Sequence, residues 1–312
     1  MNIILVHSGS KKINYVIYTL KHLIKFKNHN IYFIADTKTI NFLKKFNFNS
    51  KINFINIKSL KLGDNHIKFR GNTKLDKKSF GGFWFKTLDR FFLMQNFCEK
   101  IKLDNIIHIE NDVLIFQDLS KFKKVFQKFY NIGMTFLNFN LCVPGFVYFK
   151  NYKKLNFLCD YITDQNKYFF QKKNKTDMYI LGQLYNQYKN NEKLKIRLLP
   201  TMTPDLAKIN NIYVKKYSPF YKYHKYFDCI FDACAIGQKI GGLDRKFHKH
   251  KGPYSNPLNL FKIENLEIGI TNSKKIKKPY IKINNKKTYL INIHMHSKKT
   301  NYFFNSKNDK KI

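Results

Sequence analysis

The fold is decided by the stretch NIIHIEND at residues 105–112. Its first five residues are mostly apolar, which is typical of a strand buried inside a parallel sheet. The strand runs directly into two carboxylates, Glu110 and Asp112, which lie two positions apart and so project to one side of an extended chain. Unpaired acids are costly to bury, whereas a divalent cation with oxygen ligands would neutralise them and could carry substrate phosphates. The alternative is a strand that ends in solvated acidic turn residues.

The chain before this stretch predicts alternating strands and helices. Residues 2–6 and 31–35 have the pattern of strands and 15–26 that of a helix, so together they predict a βαβ unit with a right-handed parallel crossover. An amphipathic helix at 86–102 then leads into the 105–109 strand. The remaining segments are a helix at 40–46, a strand at 52–57 and a long polar loop at 60–80.

The chain after the stretch predicts further elements of both kinds. We expect helices at 119–129, 155–170 and from 176 onward, strands at 133–136, 197–200, 266–270, 280–283 and 289–293, and a sheet edge or hairpin over the site at 139–149. The fold class is therefore α/β, with a mostly parallel central sheet flanked by helices. We expect one domain over 1–300 and a polar, disordered tail at 301–312.

The formal charge of +38 raises the possibility of nucleic-acid binding, which the composition does not favour. Only four of the 58 basic residues are arginine, the residue that base readout and bidentate phosphate recognition prefer. The charge is also spread along the chain, as expected of a lysine-rich, AT-rich coding sequence. A diffuse positive field of this kind can still attract anionic substrates or anionic lipid surfaces.

Cysteine usage and the amino terminus indicate a cytoplasmic protein. The five cysteines form no CxxC pair and no metal-like spacing, which suits a reducing compartment. The first residues, MNIILVHSGS, do not have the pattern of a signal peptide, and no segment has the apolar length of a transmembrane helix.

The loop after the first predicted strand does not favour the common nucleotide-binding motifs. It is neither GxGxxG nor a Walker Gly-Lys-Ser/Thr sequence. Ligands of open α/β sheets nevertheless bind at the carboxyl ends of strands, which positions His7, Ser8, Gly9 and Asp36 to contact one. The alternative for each is an ordinary turn residue.

Two charged residues lie where the helical pattern predicts burial or a helix end. Arg90 lies among the apolar positions of the 86–102 helix, so it needs an anionic partner, which we expect to be Asp112 or a bound phosphate. The alternative is a surface arginine with a buried stem. Asp177 opens a later helix, where its alternative role is a simple cap.

The late part of the chain adds a second group of candidate residues. His294 and His296 also lie two positions apart at a strand end, followed by Lys298 and Lys299. The alternative interpretation is that the two histidines are solvated residues at a strand end and bind no ligand. The stretch 231–238 places small residues beside Asp232 and Gln238, and small residues let the backbone approach a ligand closely. The basic loop at 248–253 could flank a phosphate, although such loops are usually solvated.

The order of these features resembles that of GT-A fold glycosyltransferases, and of the glycogenin and bacterial galactosyltransferase-like group in particular. That family has an Asp-x-Asp motif, here Glu110-Asn111-Asp112 with glutamate at its first position. The resemblance implies a metal site formed by Glu110, Asp112 and His294 or His296, with Lys298 or Lys299 on the diphosphate. It also implies that Arg90 contacts the motif acid and nucleotide, and that Asp177 faces the donor and acceptor sugars. Further contacts with the donor are predicted at His7, Ser8, Gly9, Asp36, Lys86 and Asn111. Asp177, Asp232 and Gln238 are the predicted catalytic residues, the last two on the side of the acceptor.

The resemblance implies a metal-dependent glycosyltransferase. It would use Mn²⁺ or Mg²⁺ to move a sugar from a nucleoside diphosphate donor, UDP above all, to a glycan or lipid-linked acceptor. We also expect peripheral association with the inner face of an anionic membrane. About 1–135 would bind the nucleotide and about 136–300 the acceptor. The alternatives are a sugar-phosphate nucleotidyltransferase and a non-catalytic basic protein that binds nucleic acid or an anionic surface.

Overall fold

The computed structural model describes most of the chain. The described residues are 1–9, 13–28, 30–48, 50–75, 77–78, 81–169, 176–244, 254, 256–260, 262–263, 266–271 and 277–303, without the side chains of 166–169. The predicted basic loop at 248–253 and residues 304–312 of the predicted tail lie outside them. Residues 301–303 were also predicted to be disordered, but they belong to a 3-10 helix, Thr300–Phe303, and Phe303 is buried.

The described chain contains twelve strands and ten α-helices. The strands are β1 (Asn2–His7), β2 (Ile31–Ala35), β3 (Ile52–Asn56), β4 (Asp104–Ile109), β5 (Val113–Ile115), β6 (Ile132–Asn138), β7 (Leu141–Asn151), β8 (Ile196–Leu198), β9 (Cys229–Phe231), β10 (Glu267–Ile270), β11 (Pro279–Ile283) and β12 (Lys286–His294). The helices are α1 (Asn14–Lys25), α2 (Thr37–Leu43), α3 (Asp64–Asn72), α4 (Phe83–Lys100), α5 (Lys123–Phe129), α6 (Tyr152–Phe169), α7 (Asp177–Tyr188), α8 (Pro204–Ile209), α9 (His224–Phe227) and α10 (Ala235–Gly241).

The central sheet has seven strands in the order β3-β2-β1-β4-β7-β6-β8. The first four strands are parallel, β7 is antiparallel to both of its neighbours, and β8 is parallel to β6. Helices cover both faces, with α4, α6 and α7 in one hydrophobic core and α1, α2 and α5 in the other. The predicted α/β fold with a mostly parallel central sheet flanked by helices is therefore confirmed.

Two local predictions are wrong. Residues 139–149 do not form a sheet edge, because β7 lies inside the sheet and pairs with both β4 and β6. The hairpin alternative holds only in part, since β6 and β7 are antiparallel and joined by the two residues 139–140, but this hairpin is part of the central sheet. The long apolar run of β7 is buried on both sides, a property that local sequence cannot distinguish from a hairpin at an edge. Residues 60–80 are not all loop, because they contain α3. This helix buries only His66 and Phe69, so no amphipathic pattern reveals it.

A second, five-stranded sheet is built around β12. β12 pairs with β11 and with β5 in antiparallel directions and with β9 in parallel, and β10 extends the sheet beyond β11. β5 follows β4 after a turn of three residues, so one turn joins the two sheets. The pairing of His294 with Val113 brings the end of β12 to that turn.

Candidate metal centre

The turn Glu110-Asn111-Asp112 is fixed by hydrogen bonds to three strands. The backbone N–H of Glu110 donates to the carbonyl of Gly145 in β7 at 3.1 Å. The side-chain amide of Asn111 donates to the carbonyl of Val6 in β1 at 2.9 Å. The backbone N–H of Met295, directly after β12, donates to the carbonyl of Asp112 at 2.9 Å. Both sheets therefore hold the turn, so its two carboxylates project from a rigid support.

Glu110, Asp112 and His294 form a group that could hold a metal ion. Each offers one ligand atom, and these three atoms lie within 4.8 Å of one another. The Nε2 atom of His294 lies 3.2 Å from Oε2 of Glu110 and 3.3 Å from Oδ1 of Asp112. Asp112 and His294 are buried, with exposed fractions of 8% and 5%. Two carboxylates and one imidazole are a donor set that suits a divalent cation.

The orientation of the His294 ring is set by a hydrogen bond from the ring nitrogen that does not face the carboxylates. Its Nδ1 lies 3.0 Å from the carbonyl oxygen of Ala233. Because a carbonyl only accepts hydrogen bonds, Nδ1 must carry a proton, and Nε2 faces the two carboxylates. Metal-binding histidines are commonly oriented by such an outer hydrogen bond, so the ring is already placed for a metal.

Asp232 holds the backbone behind this histidine. Its Oδ1 accepts from the backbone N–H of Ile236 at 2.9 Å, and its Oδ2 accepts from Gly237 at 2.9 Å and His294 at 3.0 Å. Burial raises its pKa, and these three hydrogen bonds act in the opposite direction. Since both oxygens are engaged by backbone, the carboxylate joins the start of α10 to the end of β12, an arrangement that favours a positioning role over contact with a substrate.

Glycines allow the backbone to pack closely around His294. A Cβ atom at Gly237 would lie 1.9 Å from the carbonyl oxygen of His294, and one at Gly145 would lie 2.9 Å from its Nδ1. We expected the small residues at 231–238 to let the backbone approach a ligand. The approach at Gly237 is instead between α10 and β12, so this glycine supports the histidine from behind.

Replacing Gly237 with alanine should destabilise the fold and weaken metal binding together. The new Cβ meets a backbone oxygen that cannot rotate away, so α10 and β12 must separate, at a cost of at least about 2 kcal/mol. Urea denaturation measures the loss, and calorimetric titration with Mn²⁺ measures the affinity. Gly71→Ala is the matched control, because a Cβ at this position in α3 meets nothing within 4 Å. It should leave stability equal or slightly higher. If Gly237→Ala and Gly71→Ala lost the same folding stability and the same Mn²⁺ affinity, this role of Gly237 would be contradicted.

Arg90 joins the turn to α7. It is buried at 8% exposure, and its Nη1 donates to Oε1 of Glu110 at 2.5 Å while its Nη2 donates to Oδ2 of Asp177 at 2.8 Å. Burial would lower the pKa of Arg90, but Glu110 and Asp177 raise it overall. The expected anionic partner is present, although it is Glu110 and not Asp112. Burial raises the pKa of Asp177 to about 6 against the opposing effect of Arg90.

Lys298 contributes a second cation. Its Nζ lies 3.3 Å from Oδ2 of Asp112 and 3.2 Å from Oδ2 of Asp244. Burial would raise the pKa of Asp112, but Lys298 and His294 outweigh it and lower that pKa. The neighbouring Lys299 is exposed. Of the two lysines that the sequence left open, Lys298 is the one beside the metal centre.

His296 lies beside the metal-ligand group and not within it. Its Nδ1 accepts the backbone N–H of Asp244 at 3.2 Å, and its ring centre is 6.1 Å from that of His294. Burial and the charge of His294 lower the pKa of His296 to about 4. Of the two predicted late histidines, His294 is therefore the one that the structure brings to both carboxylates.

Of the other predicted contact residues, Asp36 and Lys86 have structural partners of their own. Asp36 caps α2 by accepting from the backbone N–H of Thr39 at 2.9 Å, and Lys86 donates to the carbonyl of Gly81 at 2.7 Å. His7 ends β1, with Ser8 and Gly9 in the loop that follows. Gln238 is buried in α10, where its Oε1 has no partner among the described residues. Their contact with a ligand stays a prediction.

Sequence reasoning did not identify Tyr15. The Nζ atom of Lys298 lies 5.7 Å from the centre of the Tyr15 ring, and the hydroxyl of Thr300 donates to the Tyr15 carbonyl at 2.7 Å. Tyr15 belongs to the first turn of α1, where an exposed or half-buried tyrosine carries no special pattern. Only the return of residues 298–303 to α1 reveals that it lies beside the lysine.

No family model matches the chain, and no curated protein matches it. Solved structures that are similar include mouse xyloside xylosyltransferase 1 in its apo form, with 10% identity, 64% of this chain and 84% of that chain covered, and a TM-score of 0.46. Galactosyltransferase LgtC with donor and acceptor sugar analogues has 13% identity and a TM-score of 0.41, and the match covers 70% of this chain and 81% of that chain. A cytidylyltransferase from Leptospira borgpetersenii has 10% identity and a TM-score of 0.37, and the match covers 64% of this chain and 75% of that chain. These similarities concern architecture and establish neither a family nor an activity.

Proposed function

We propose that this protein is a glycosyltransferase that moves a sugar from a nucleoside diphosphate donor, most favourably UDP, to an acceptor hydroxyl. The observation that carries the proposal is the group Glu110, Asp112 and His294, located where β4 ends and flanked by two cations, Arg90 and Lys298. Ligands of α/β sheets bind at this edge, and the combination of a metal group with fixed cations suits a diphosphate.

The residues present fit a divalent cation. Both carboxylates and the outward nitrogen of His294 converge, and the carbonyl of Ala233 already fixes the histidine. Because one of the three donors is a nitrogen, we propose Mn²⁺ ahead of Mg²⁺, which favours oxygen ligands. A cation held here supplies positive charge to the leaving diphosphate when it is bound.

Lys298 and Arg90 would act on the same diphosphate. Burial would lower the pKa of Lys298, but Asp112 and neighbouring groups raise it, so its ammonium keeps its charge at neutral pH. It contacts Oδ2 of Asp112, while His294 contacts Oδ1, and from there it can stabilise negative charge on the departing nucleotide. Arg90 holds Glu110 in place through a charge-assisted hydrogen bond and adds a second positive charge.

Asp177 would orient the sugar. It opens α7, where its Oδ1 accepts the backbone N–H of Met178 at 2.9 Å and its Oδ2 accepts Arg90. Each carboxylate oxygen can accept a second hydrogen bond, so a sugar hydroxyl can be held without breaking either contact. Arg90 therefore links the metal ligand Glu110 to the group that orients the donor or acceptor.

Mn²⁺ should bind more tightly as the pH rises toward about 9. In the metal-free protein burial would lower the pKa of His294, but Asp112 and Glu110 raise it to about 9. The ring is therefore protonated at neutral pH, and a metal must displace that proton from Nε2. We expect the affinity to rise about tenfold per pH unit from about pH 7 and to level off above the pKa, with about one proton released per ion. Calorimetry in buffers of different ionisation enthalpy measures both quantities.

Two substitutions test whether His294, and not His296, causes this pH dependence. His294→Gln should lose the slope along with much of the affinity. His296→Gln should keep the slope, because the pKa of His296 is lowered to about 4 and its ring is already neutral. An unchanged slope in His294→Gln would contradict the assignment of this ring as a ligand.

The acceptor and the location form a wider part of the proposal. We propose a glycan or lipid-linked acceptor and a cytoplasmic enzyme that associates peripherally with the inner face of a membrane. Among the described residues, no helix has the length and apolar character needed to cross a bilayer.

A screen of sugar nucleotides tests the proposed activity. Purified protein is incubated with each donor and Mn²⁺, and the released nucleotide is identified, since transferases of this kind hydrolyse their donor slowly when no acceptor is present. The proposal expects UDP release from at least one UDP-sugar and none in the presence of EDTA. Release of pyrophosphate from a nucleoside triphosphate and a sugar phosphate would instead identify a nucleotidyltransferase. Salt-sensitive binding of nucleic acid with no turnover of any donor would identify a non-catalytic basic protein.

A further inference from the structure

Exposed apolar side chains are concentrated in one segment far along the chain. In the described part of the protein nine large apolar side chains are exposed, and four of them belong to residues 209–226. They are Ile209 at 54%, Tyr213 at 49%, Val214 at 52% and Tyr226 at 42% exposure. Single exposed apolar residues are normal on a protein surface, whereas a cluster usually marks an interaction site.

The same segment is rich in lysine and contains no acid. No aspartate or glutamate occurs from 206 to 227, and five exposed lysines do, at positions 208, 215, 216, 222 and 225. Lys208 is paired with Asp205 at 3.9 Å, but the other four form no ion pair with a described carboxylate. Several lie over aromatic rings, such as Lys225, whose Nζ is 5.1 Å from the ring centre of Tyr226. The surface therefore presents uncompensated positive charge beside apolar groups.

The segment is a built surface and not a loose loop. Phe220, Tyr223 and Phe227 are buried and anchor it to the core. The backbone N–H of Thr201, shortly after β8, donates to the carbonyl of Phe220 at 3.1 Å. The exposed ring of Tyr213 stacks on Tyr221, with centres 5.3 Å apart. We name residues 208–226 the basic aromatic surface.

We propose that the basic aromatic surface holds the protein against an anionic phospholipid bilayer. Positive charge complements the lipid headgroups, and lysines near such a surface each strengthen binding. The aliphatic side chains of Ile209 and Val214 favour a lipid surface over a nucleic acid. The headgroup–acyl boundary of a bilayer offers them an apolar environment, whereas a polyanion in water does not. Tyrosine has an apolar ring and a polar hydroxyl, which suits that boundary. This inference rests on the membrane association proposed above and names the surface responsible for it. Vesicle binding does not involve the metal centre, so its failure is distinguishable from a failure of the proposed sugar transfer.

Vesicle sedimentation tests the proposal. Full-length protein should bind vesicles of phosphatidylcholine with about one third phosphatidylglycerol, bind phosphatidylcholine alone weakly, and be released by salt. The triple variant Lys215→Gln, Lys216→Gln, Lys222→Gln should lower partitioning to anionic vesicles at least about tenfold. The double variant Ile209→Ser, Val214→Ser should lower it at least about threefold, since it removes apolar area that enters the bilayer. All five side chains are exposed, so the folded state should persist, which thermal unfolding checks.

The matched control removes the same charge from the opposite edge of the central sheet. Lys44, Lys45 and Lys51 are exposed residues beside β3, whereas the basic aromatic surface follows β8. The triple Lys-to-Gln variant at these positions should change partitioning less than about twofold, because those charges lie more than a Debye length from the docked bilayer. Equal losses in both triple variants would mean that diffuse charge alone attracts the protein. No loss in the serine variant, or equal binding to neutral vesicles, would also overturn the proposal. Preferential binding of a single-stranded RNA probe would indicate nucleic acid instead.

Discussion

Replacing Asp112 with asparagine should reduce the proposed Mn²⁺-dependent sugar transfer at least about a thousandfold. The substitution keeps the size of the side chain but removes one of the two negative charges in the metal-ligand group. It also leaves Lys298 and His294 beside a neutral amide, so the remaining charges repel a cation instead of attracting it. Donor hydrolysis with a saturating UDP-sugar measures the rate, and calorimetry with Mn²⁺ and UDP measures binding. Both quantities should fall together.

Asp104→Asn is the matched control for this experiment. Asp104 begins β4 and Asp112 follows its other end, and the side chain of Asp104 is exposed. The same chemical change there should leave transfer within about twofold of the native rate, because exposed charges this far from the metal centre are screened. The central claim is wrong if Asp112→Asn still binds UDP with the native dependence on Mn²⁺.

Replacing Arg90 with alanine should cost about 3–5 kcal/mol of folding stability, because it leaves two acids without the cation that compensates them. Glu110 and Asp177 both accept a hydrogen bond from this one guanidinium, and Asp177 is 3% exposed. Asp177 already has a pKa raised to about 6 by burial, and loss of Arg90 should raise it further. An acid with a raised pKa binds its proton more tightly in the folded state, so the deficit should shrink as the pH falls through and below that pKa.

Urea denaturation at about pH 8 and about pH 5 measures this effect and its sign. Arg197→Ala is the control, because Arg197 pairs with Glu192, whose side chain is 74% exposed. That variant should lose no more than about 1 kcal/mol through its ion pair. It should lose about 1 kcal/mol more through the hydrogen bond that Arg197 donates to the carbonyl of Phe129, which keeps the total below the loss expected for Arg90→Ala. Arg90→Lys should fall between the two, since it keeps the charge but cannot span both acids with one planar group. A loss for Arg90→Ala no larger than that for Arg197→Ala would contradict the compensating role.

The sequence predicted the part of the candidate metal centre that is local in the chain, and metal binding by these residues stays a prediction. A buried apolar run followed by acids two positions apart is visible in any short window, which is why Glu110 and Asp112 were identified. The choice between His294 and His296 was not visible, because both share one side of an extended chain. It follows from the register of β12 against β5, which pairs His294 with Val113 from a distant part of the sequence.

Other contacts could not be predicted because the same residue type can bind a ligand or stabilise the backbone. Asp232 and Asp36 have the chemistry of ligand-binding carboxylates, yet each accepts backbone hydrogen bonds at the start of a short helix. Gly237 has the property expected of a residue near a ligand, but what approaches it is β12. The central position of β7 depends on pairing with β4, which no local pattern contains. Sequence patterns identify which groups are available, and long-range pairing decides what each one contacts.

The short turn between β4 and β5 has a consequence for folding kinetics. Glu110 and Asp112 come from the first half of the chain and His294 from its end, so the metal-ligand group closes only when a very long loop has closed. A metal that needs all three ligands has high affinity only for the fully assembled molecule and little for partly folded states. Bound metal should therefore slow the separation of β12 from β5 and leave the early assembly of β1, β2 and β3 unaffected.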